Sequence, residues 1–251
     1  MKRFFEKFIN KKKTYISSEF DKDDVLSHYQ ILKAIHKLYT PKTYLEIGVQ
    51  QGRSINLTNP KTKAVGIDPF EDDKIMFNKN VKMFHVKSDD FFENNNLYKE
   101  LDNQKVDAAL IDGMHLFEYV LRDFINTEKN CHKNSVILLH DTIPIDKISS
   151  DRPVCNGPWT GDVYKIILIL KKYRPDLKIH NISIPPIGVC LVSSLDPDSD
   201  ILIKNYDKIY QGYVDINFDD IKDNFDENLS ILRLNLQDVE NILKDELKIN
   251  F

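Results

Sequence analysis

The stretch ALIDGMHLFEYVLRDF, residues 109–124, changes its period halfway along. Up to Ile111 it completes the continuous apolar run VDAALI. Such a run suits a strand buried on both faces of a parallel sheet. From Phe117 the apolar residues Val120, Leu121 and Phe124 recur at helical spacing. A strand feeding a helix through a tight polar turn is one half of a βαβ unit. The turn holds Asp112, Gly113 and His115. Gly113 reads as the bend that lets both flanking side chains face one crevice. By themselves these residues fit either a catalytic pair or a polar turn that caps the helix.

The same alternation continues on both sides. TYLEIGV, KAVGIDPF, VKMFHVKS and SVILLHDT read as further strands, with helical or polar segments at 51–58, 90–101 and 115–129 between them. KDDVLSHYQILKAIHKLY, residues 22–39, is helical through Val25, Tyr29, Leu32, Ile35, His36 and Leu38, and Pro41 ends it. GDVYKIILILKKYRPDL is a helix stopped by Pro175. KIHNISI and GVCLVSS are strands joined through Pro185 and Pro186, a connection too short for a parallel crossover. The expected fold is α/β, a doubly wound, mostly parallel, seven-stranded sheet with one antiparallel strand. Three regions follow: an N-terminal helical segment 1–39, a ligand-binding domain 40–195 and an acidic extension 196–251. In that extension QDVENILKDEL reads as a helix, and SILRLNL fits a strand or a helix equally. The extension could serve as a cap, a substrate-side lid or a dimerisation element.

Composition removes several function classes. A net charge of −4 gives no global basic field to recruit nucleic acid. Cys131, Cys155 and Cys190 form no disulfide framework and no zinc spacing, which points to a reducing, cytoplasmic setting. No apolar run is long enough to span a membrane. The opening MKRFFEKFINKKK is basic with Phe4, Phe5 and Phe8 interleaved, and it lacks the apolar centre of a signal peptide. It fits a short helix docked on the body or frayed in solvent, with weak contact to an anionic membrane surface as the alternative.

YLEIGVQQGRSI places Glu46, Gly48 and Gly52 at a strand end, where glycines allow a tight turn and close approach of a ligand. A helix starting near Gly52 would aim its N–H groups into the crevice. The spacing departs from the dinucleotide fingerprint, and Glu46 suits a cationic ligand better than a pyrophosphate. Asp68 ends the second strand, where an acid can accept from both ribose hydroxyls. Ser88 and Asp89 close the third strand. In this order the features resemble the class I S-adenosylmethionine-dependent methyltransferases over roughly residues 40 to 194. The resemblance implies S-adenosylmethionine as cofactor. It also implies that Glu46, Gly48 and Gly52 hold the methionine part, that Asp68 binds the ribose, and that Ser88 and Asp89 lie near the adenine.

Two neighbouring strand ends supply a second constellation. Asp112 ends the fourth strand, and His140 and Asp141 end the fifth. Two carboxylates and an imidazole suit a divalent cation, Mg²⁺ or Mn²⁺, with the histidine favouring the transition metals. Such an ion would stabilise a developing alkoxide, and His115 is placed to take its proton. Asp112 borders the cofactor as well. The pattern is similar to the metal-dependent sugar O-methyltransferases, of the macrocin O-methyltransferase and cephalosporin hydroxylase-like type. That similarity implies Asp112 and Asp141 as ligands, His140 in a position usually acidic or amide, and His115 as base.

The long segment TIPIDKISSDRPVCNGPWTGDVYK follows the fifth strand and carries Trp159 and Asp162. They read as substrate contacts, with helix anchoring and capping as the plain alternatives. The expected activity is bacterial, S-adenosylmethionine-dependent O-methyl transfer. The acceptor would be a sugar, sugar nucleotide or other small polar building block of a surface glycan or secondary metabolite. The enzyme is expected to be a homo-oligomer. Two other classes fit: a non-haem iron oxygenase using His115, Asp112 and His140, and a non-catalytic cofactor-binding protein.

Overall fold

A computed structural model describes residues 26–72 and 74–247. The elements are α1 (His28–Leu38), β1 (Thr43–Ile47), β2 (Lys63–Ile67), β3 (Val81–Phe84), α2 (Ser88–Asn94), β4 (Val106–Ile111), α3 (Phe117–Asn130), β5 (Cys131–His140), α4 (Lys165–Tyr173), β6 (Lys178–Ile182), β7 (Val189–Ser193), α5 (Tyr206–Tyr213), β8 (Ile231–Leu232) and α6 (Leu236–Glu246). The strands form one sheet in the order β3-β2-β1-β4-β5-β7-β6-β8. All adjacent pairs are parallel except the two made by β7. The doubly wound, mostly parallel sheet with one antiparallel strand is therefore present, with eight strands where seven were expected.

Alternation along β1 shows how the sheet is covered. Leu45 and Ile47 face a core shared with α3, α4 and α5, while Tyr44 faces a second core beneath α1 and α6. Burial of both faces is what makes the central strands read as unbroken apolar runs. α1 begins at Ser27, whose hydroxyl accepts from the Gln30 amide. Leu32, Ile35 and His36 are buried as the spacing predicts. Residues 1–25, with Phe4, Phe5, Phe8 and Val25, lie outside the described residues.

Three local expectations change. Residues 51–58 form turns and a single 3-10 turn at Ile55–Leu57, so no α-helix starts near Gly52. β3 stops at Phe84, and Ser88 and Asp89 open α2 instead of ending the strand. The acidic extension is built into the sheet. Its Ile231–Leu232 is the extra strand, pairing with Asn181 and Ile182 at the β6 edge. Its α5 and α6 then cover opposite faces. This settles SILRLNL as a two-residue strand, because an unpaired β6 edge offers it ladder partners. No helix among the described residues is long and apolar enough to cross a membrane.

Candidate active site

β1 and β4 run side by side in register Ile47↔Ile111, and β4 and β5 in register Ile111↔Leu139. Parallel registry brings Gly48, Asp112 and Asp141 to one edge of the sheet, at the carboxyl ends where α/β sheets bind ligands. The Asp112 amide donates to the Ile47 carbonyl (2.8 Å) and the Gly48 amide to the Ile67 carbonyl (2.9 Å). The loop then passes through three left-handed residues, Gly48, Gln50 and Gly52. The Gln50 amide donates to Asp68 Oδ2 and the Phe70 amide to Asp68 Oδ1, each at 2.7 Å. Asp68 thus ties the glycine loop to β2.

Glu46 does not face the crevice as a free carboxylate. It is fully buried, accepting from Tyr44 Oη (2.9 Å) and Ser54 Oγ (2.6 Å). Burial pushes its carboxyl up to about 8, against the downward pull of those bonds, and the Asp112 charge adds to the rise. The period-2 alternation of β1 decides this: Glu46 points to the same face as Tyr44, beneath the loop. A carboxyl raised from 4.5 to about 8 is protonated in the fold and ionised in the unfolded chain between those values. The unfolded chain then binds fewer protons, so stability falls as pH rises through that window, by at most about 1.4 kcal/mol per unit. Glu46→Gln is expected to flatten this slope in urea titrations from pH 5 to 8. An unchanged slope would refute the assignment.

His115 lies between the two carboxylates. Its Nε2 is 3.2 Å from Asp112 Oδ1 and 2.7 Å from Asp141 Oδ2. Its Nδ1 is 2.8 Å from the Trp159 carbonyl, which only accepts, so Nδ1 carries a proton, and Nε2 turns to the acids. Asp141 is 1 % exposed, and neither of its oxygens makes a well-directed hydrogen bond. Burial alone would raise its carboxyl, but the charges of His115 and His140 outweigh that and hold it well below the usual carboxylate range. Asp141 also sits at φ +63°, a left-handed conformation that non-glycine residues hold only under constraint. A constrained backbone and a buried carboxylate held between two imidazoles make Asp141 a candidate functional position.

One oxygen each from Asp112 and Asp141 and one His115 nitrogen lie within 4.8 Å of one another. Donor type and convergence fit a divalent cation, and the Trp159 carbonyl supplies an outer bond of the kind that orients a metal-binding histidine. The roles of the two histidines change accordingly. His115, expected as the base, lies inside the cluster with both nitrogens engaged. His140, expected as a ligand, stands beside it. Its Nδ1 is 3.1 Å from Asp141 Oδ1 and 3.5 Å from Asp112 Oδ1, and its Nε2 is 3.1 Å from His28 Nδ1. Burial would lower His140, but Asp141 and Asp112 push it up to about 10. The convergent set holds one histidine and two carboxylates, not the two-histidine set an iron oxygenase would use.

The loop after β5 supports this cluster. Trp159 is buried, stacks on His115 at 5.1 Å and donates from Nε1 to the Asp151 carbonyl (2.7 Å). One of its ring faces, expected for a substrate, is thus spent on His115. Asp162 is buried too. It accepts from the Phe117 amide (2.9 Å), Arg152 (2.7 Å) and Lys165 (3.0 Å), so it caps α3 and not the helix that follows it. Arg152 also clamps Glu118 on α3. Gly161, at φ +53°, could carry no Cβ, which would fall 1.8 Å from the His115 carbonyl oxygen. Gly113 has no such constraint. Asp89 makes a two-pronged pair with Arg122 (2.8 and 2.7 Å). His28, Arg152 and Gly161 had no signal in the sequence, because each acts across more than ten residues of chain.

Residues 45–142 match the family model described as a methyltransferase domain, a span holding the glycine loop, Asp68, Asp112, His115 and Asp141. Over that span the chain is similar to a methyltransferase domain. Solved structures agree in fold. The O-methyltransferase TomG from Streptomyces achromogenes, involved in tomaymycin synthesis and in complex with SAM, is 16% identical with a TM-score of 0.52, covering 71% of this chain and 85% of that one. A structure described as a putative O-methyltransferase from Klebsiella pneumoniae is 13% identical with a TM-score of 0.52, covering 77% and 90%. Cofactor-bound Rv0187 from MTB is 13% identical with a TM-score of 0.53, covering 76% and 89%. No curated protein matches by sequence. The methyltransferase domain therefore coincides with the sheet edge where the acidic cluster sits.

Proposed function

We propose that this chain is an S-adenosylmethionine-dependent O-methyltransferase assisted by a divalent metal, Mg²⁺ or Mn²⁺. The observation that carries this is the Asp112–His115–Asp141 convergence beside the glycine loop. Asp68, held at the end of β2 beside the glycine loop, suits the ribose, and the backbone from Gly48 to Gly52 suits the methionine part. Asp112, His115 and Asp141 would hold the metal, which when bound supplies positive charge that favours an ionised acceptor hydroxyl. Trp159 keeps His115 in one tautomer and one ring plane. The His140–His28 imidazole pair lies next to the carboxylates and outside that set. The remaining catalytic contribution is alignment of acceptor oxygen, methyl carbon and sulfur on a rigid sheet edge.

The acceptor we propose is a sugar, a sugar nucleotide or a related polar building block of a surface glycan or secondary metabolite, in a cytoplasmic homo-oligomer. The support is the likeness of Asp112-x-x-His115 with His140-Asp141 to the sugar O-methyltransferase pattern. The test is transfer of label from methyl-labelled S-adenosylmethionine to acceptor pools, with and without chelator, in air and under argon. Label in a sugar ether, lost in chelator, restored by Mn²⁺ or Mg²⁺ and indifferent to oxygen, is expected. Turnover that needs oxygen would favour an oxygenase, and full turnover in chelator would remove the metal.

A further inference from the structure

MKRFFEKFINKKK, residues 1–13, has no part in the site described above. It carries six basic side chains against one acid, Glu6, with Phe4, Phe5 and Phe8 interleaved. Its local charge of +5 stands in a chain of net −4, so the rest of the chain carries −9. Such a separation of charge marks a segment suited to a polyanionic partner. Basic residues mixed with aromatic ones suit an anionic lipid surface, where charge attraction and apolar burial act together.

The described residues show where this segment arrives. Helix α1 begins at His28, whose Nδ1 is 3.1 Å from His140 Nε2, beside Asp141 and Asp112. The chain therefore enters the fold at the sheet edge that holds the acidic cluster. Apolar surface borders the same edge. Ile145, four residues beyond Asp141, is 52 % exposed, and Ile148 is 65 % exposed. Ile148 precedes Ser149, whose carbonyl accepts from the Thr160 amide (2.9 Å), next to Trp159 in its stack on His115. Exposed isoleucines grouped at a functional edge point to an interaction surface. The charges of this turn are already engaged: Asp146 accepts from the Ser149 amide (2.7 Å), and Lys147 pairs with Asp219. The turn offers apolar contact, and residues 1–13 offer positive charge.

We propose that this edge docks on an anionic bilayer, with residues 1–13 at the lipid headgroups and Ile145 and Ile148 buried beside the acidic cluster. Both parts are needed. The acidic remainder of the chain is repelled by anionic lipid, and two isoleucines bury too little surface to hold a protein by themselves. The docking does not depend on the reaction at the site, so it stands or falls apart from that reading.

Co-sedimentation of the full chain with vesicles tests it, using phosphatidylcholine alone and phosphatidylcholine with about 30 % phosphatidylserine. The partition coefficient is expected to be at least about tenfold higher on the anionic vesicles, and to fall back in about 0.5 M salt. Lys11→Glu, Lys12→Glu and Lys13→Glu together should remove the preference for anionic lipid. Ile145→Ser with Ile148→Ser, at exposed positions that the core does not need, should lower the partition coefficient about tenfold while keeping its salt dependence. Equal binding to both kinds of vesicle, or to neither, would overturn the proposal. Isoleucine variants that bind as tightly as the unaltered chain would overturn it as well, because the basic segment would then act without this face. A face that instead joins two copies would show as a dimer, split by the isoleucine substitutions, with no gain on anionic vesicles, and that result also counts against docking.

Discussion

Asp141→Asn is expected to lower the turnover number for methyl transfer by about 10²–10³-fold or more, the scale of losing one preorganised charge-stabilising group. Asparagine is the informative substitution for two reasons. It keeps the shape of a side chain buried between His115 and His140. It also tolerates the left-handed backbone at φ +63° better than alanine. What it removes is the negative charge that, with Asp112, a divalent cation would need. Asp112→Ala, at a half-buried position, should act in the same direction. Cofactor affinity by calorimetry should stay close to that of the unaltered chain in both, because Asp68 and the glycine loop are untouched. The reading falls if both variants keep full rates in chelator. Circular dichroism melts guard against simple unfolding, since deleting one partner of a buried ion pair costs about 3–5 kcal/mol.

Gly48→Ala should produce the largest loss of stability at the site. Gly48 has φ +89°, and a Cβ there would lie 1.9 Å from the Asp112 carbonyl oxygen, 2.4 Å from its carbon and 2.8 Å from the Gly113 nitrogen. All three are backbone atoms of the turn that carries Asp112, so none can rotate away. The strained dihedral and the overpacking together should cost about 3–5 kcal/mol by urea titration. Cofactor binding should be lost as β1 and β4 separate at their ends. Gly113→Ala is the internal comparison. Its nearest neighbour would be the Ile47 Cγ2 at 3.3 Å, with no left-handed backbone to satisfy, so its cost should stay below about 1 kcal/mol. Equal behaviour of the two variants would refute the account.

Much of this architecture is legible in one dimension. Strands β1, β2, β4 and β5 are apolar runs because both faces of the sheet are covered, and β7 is antiparallel because a short connection cannot cross over. The same logic marks Asp112 and Asp141, since residues that end adjacent parallel strands must meet at one edge. The ends of β3 and the segment after Gly52 were less legible. Short polar stretches carry no period, and hydrogen bonds made far along the chain decide their conformation.

The sequence alone determined the doubly wound sheet, the glycine loop, Asp68 and the pairing of strand-end acids, because period and strand order are properties of local spacing. Only the tertiary structure decided that Glu46 lies beneath the loop, that His115 stands between Asp112 and Asp141 with His140 beside them, and that Trp159 and Asp162 pack behind this cluster. Those roles depend on which way a side chain turns at a strand end or in a loop. That direction is set by partners such as the Trp159 carbonyl and the Phe117 amide, which reach the site from distant parts of the chain.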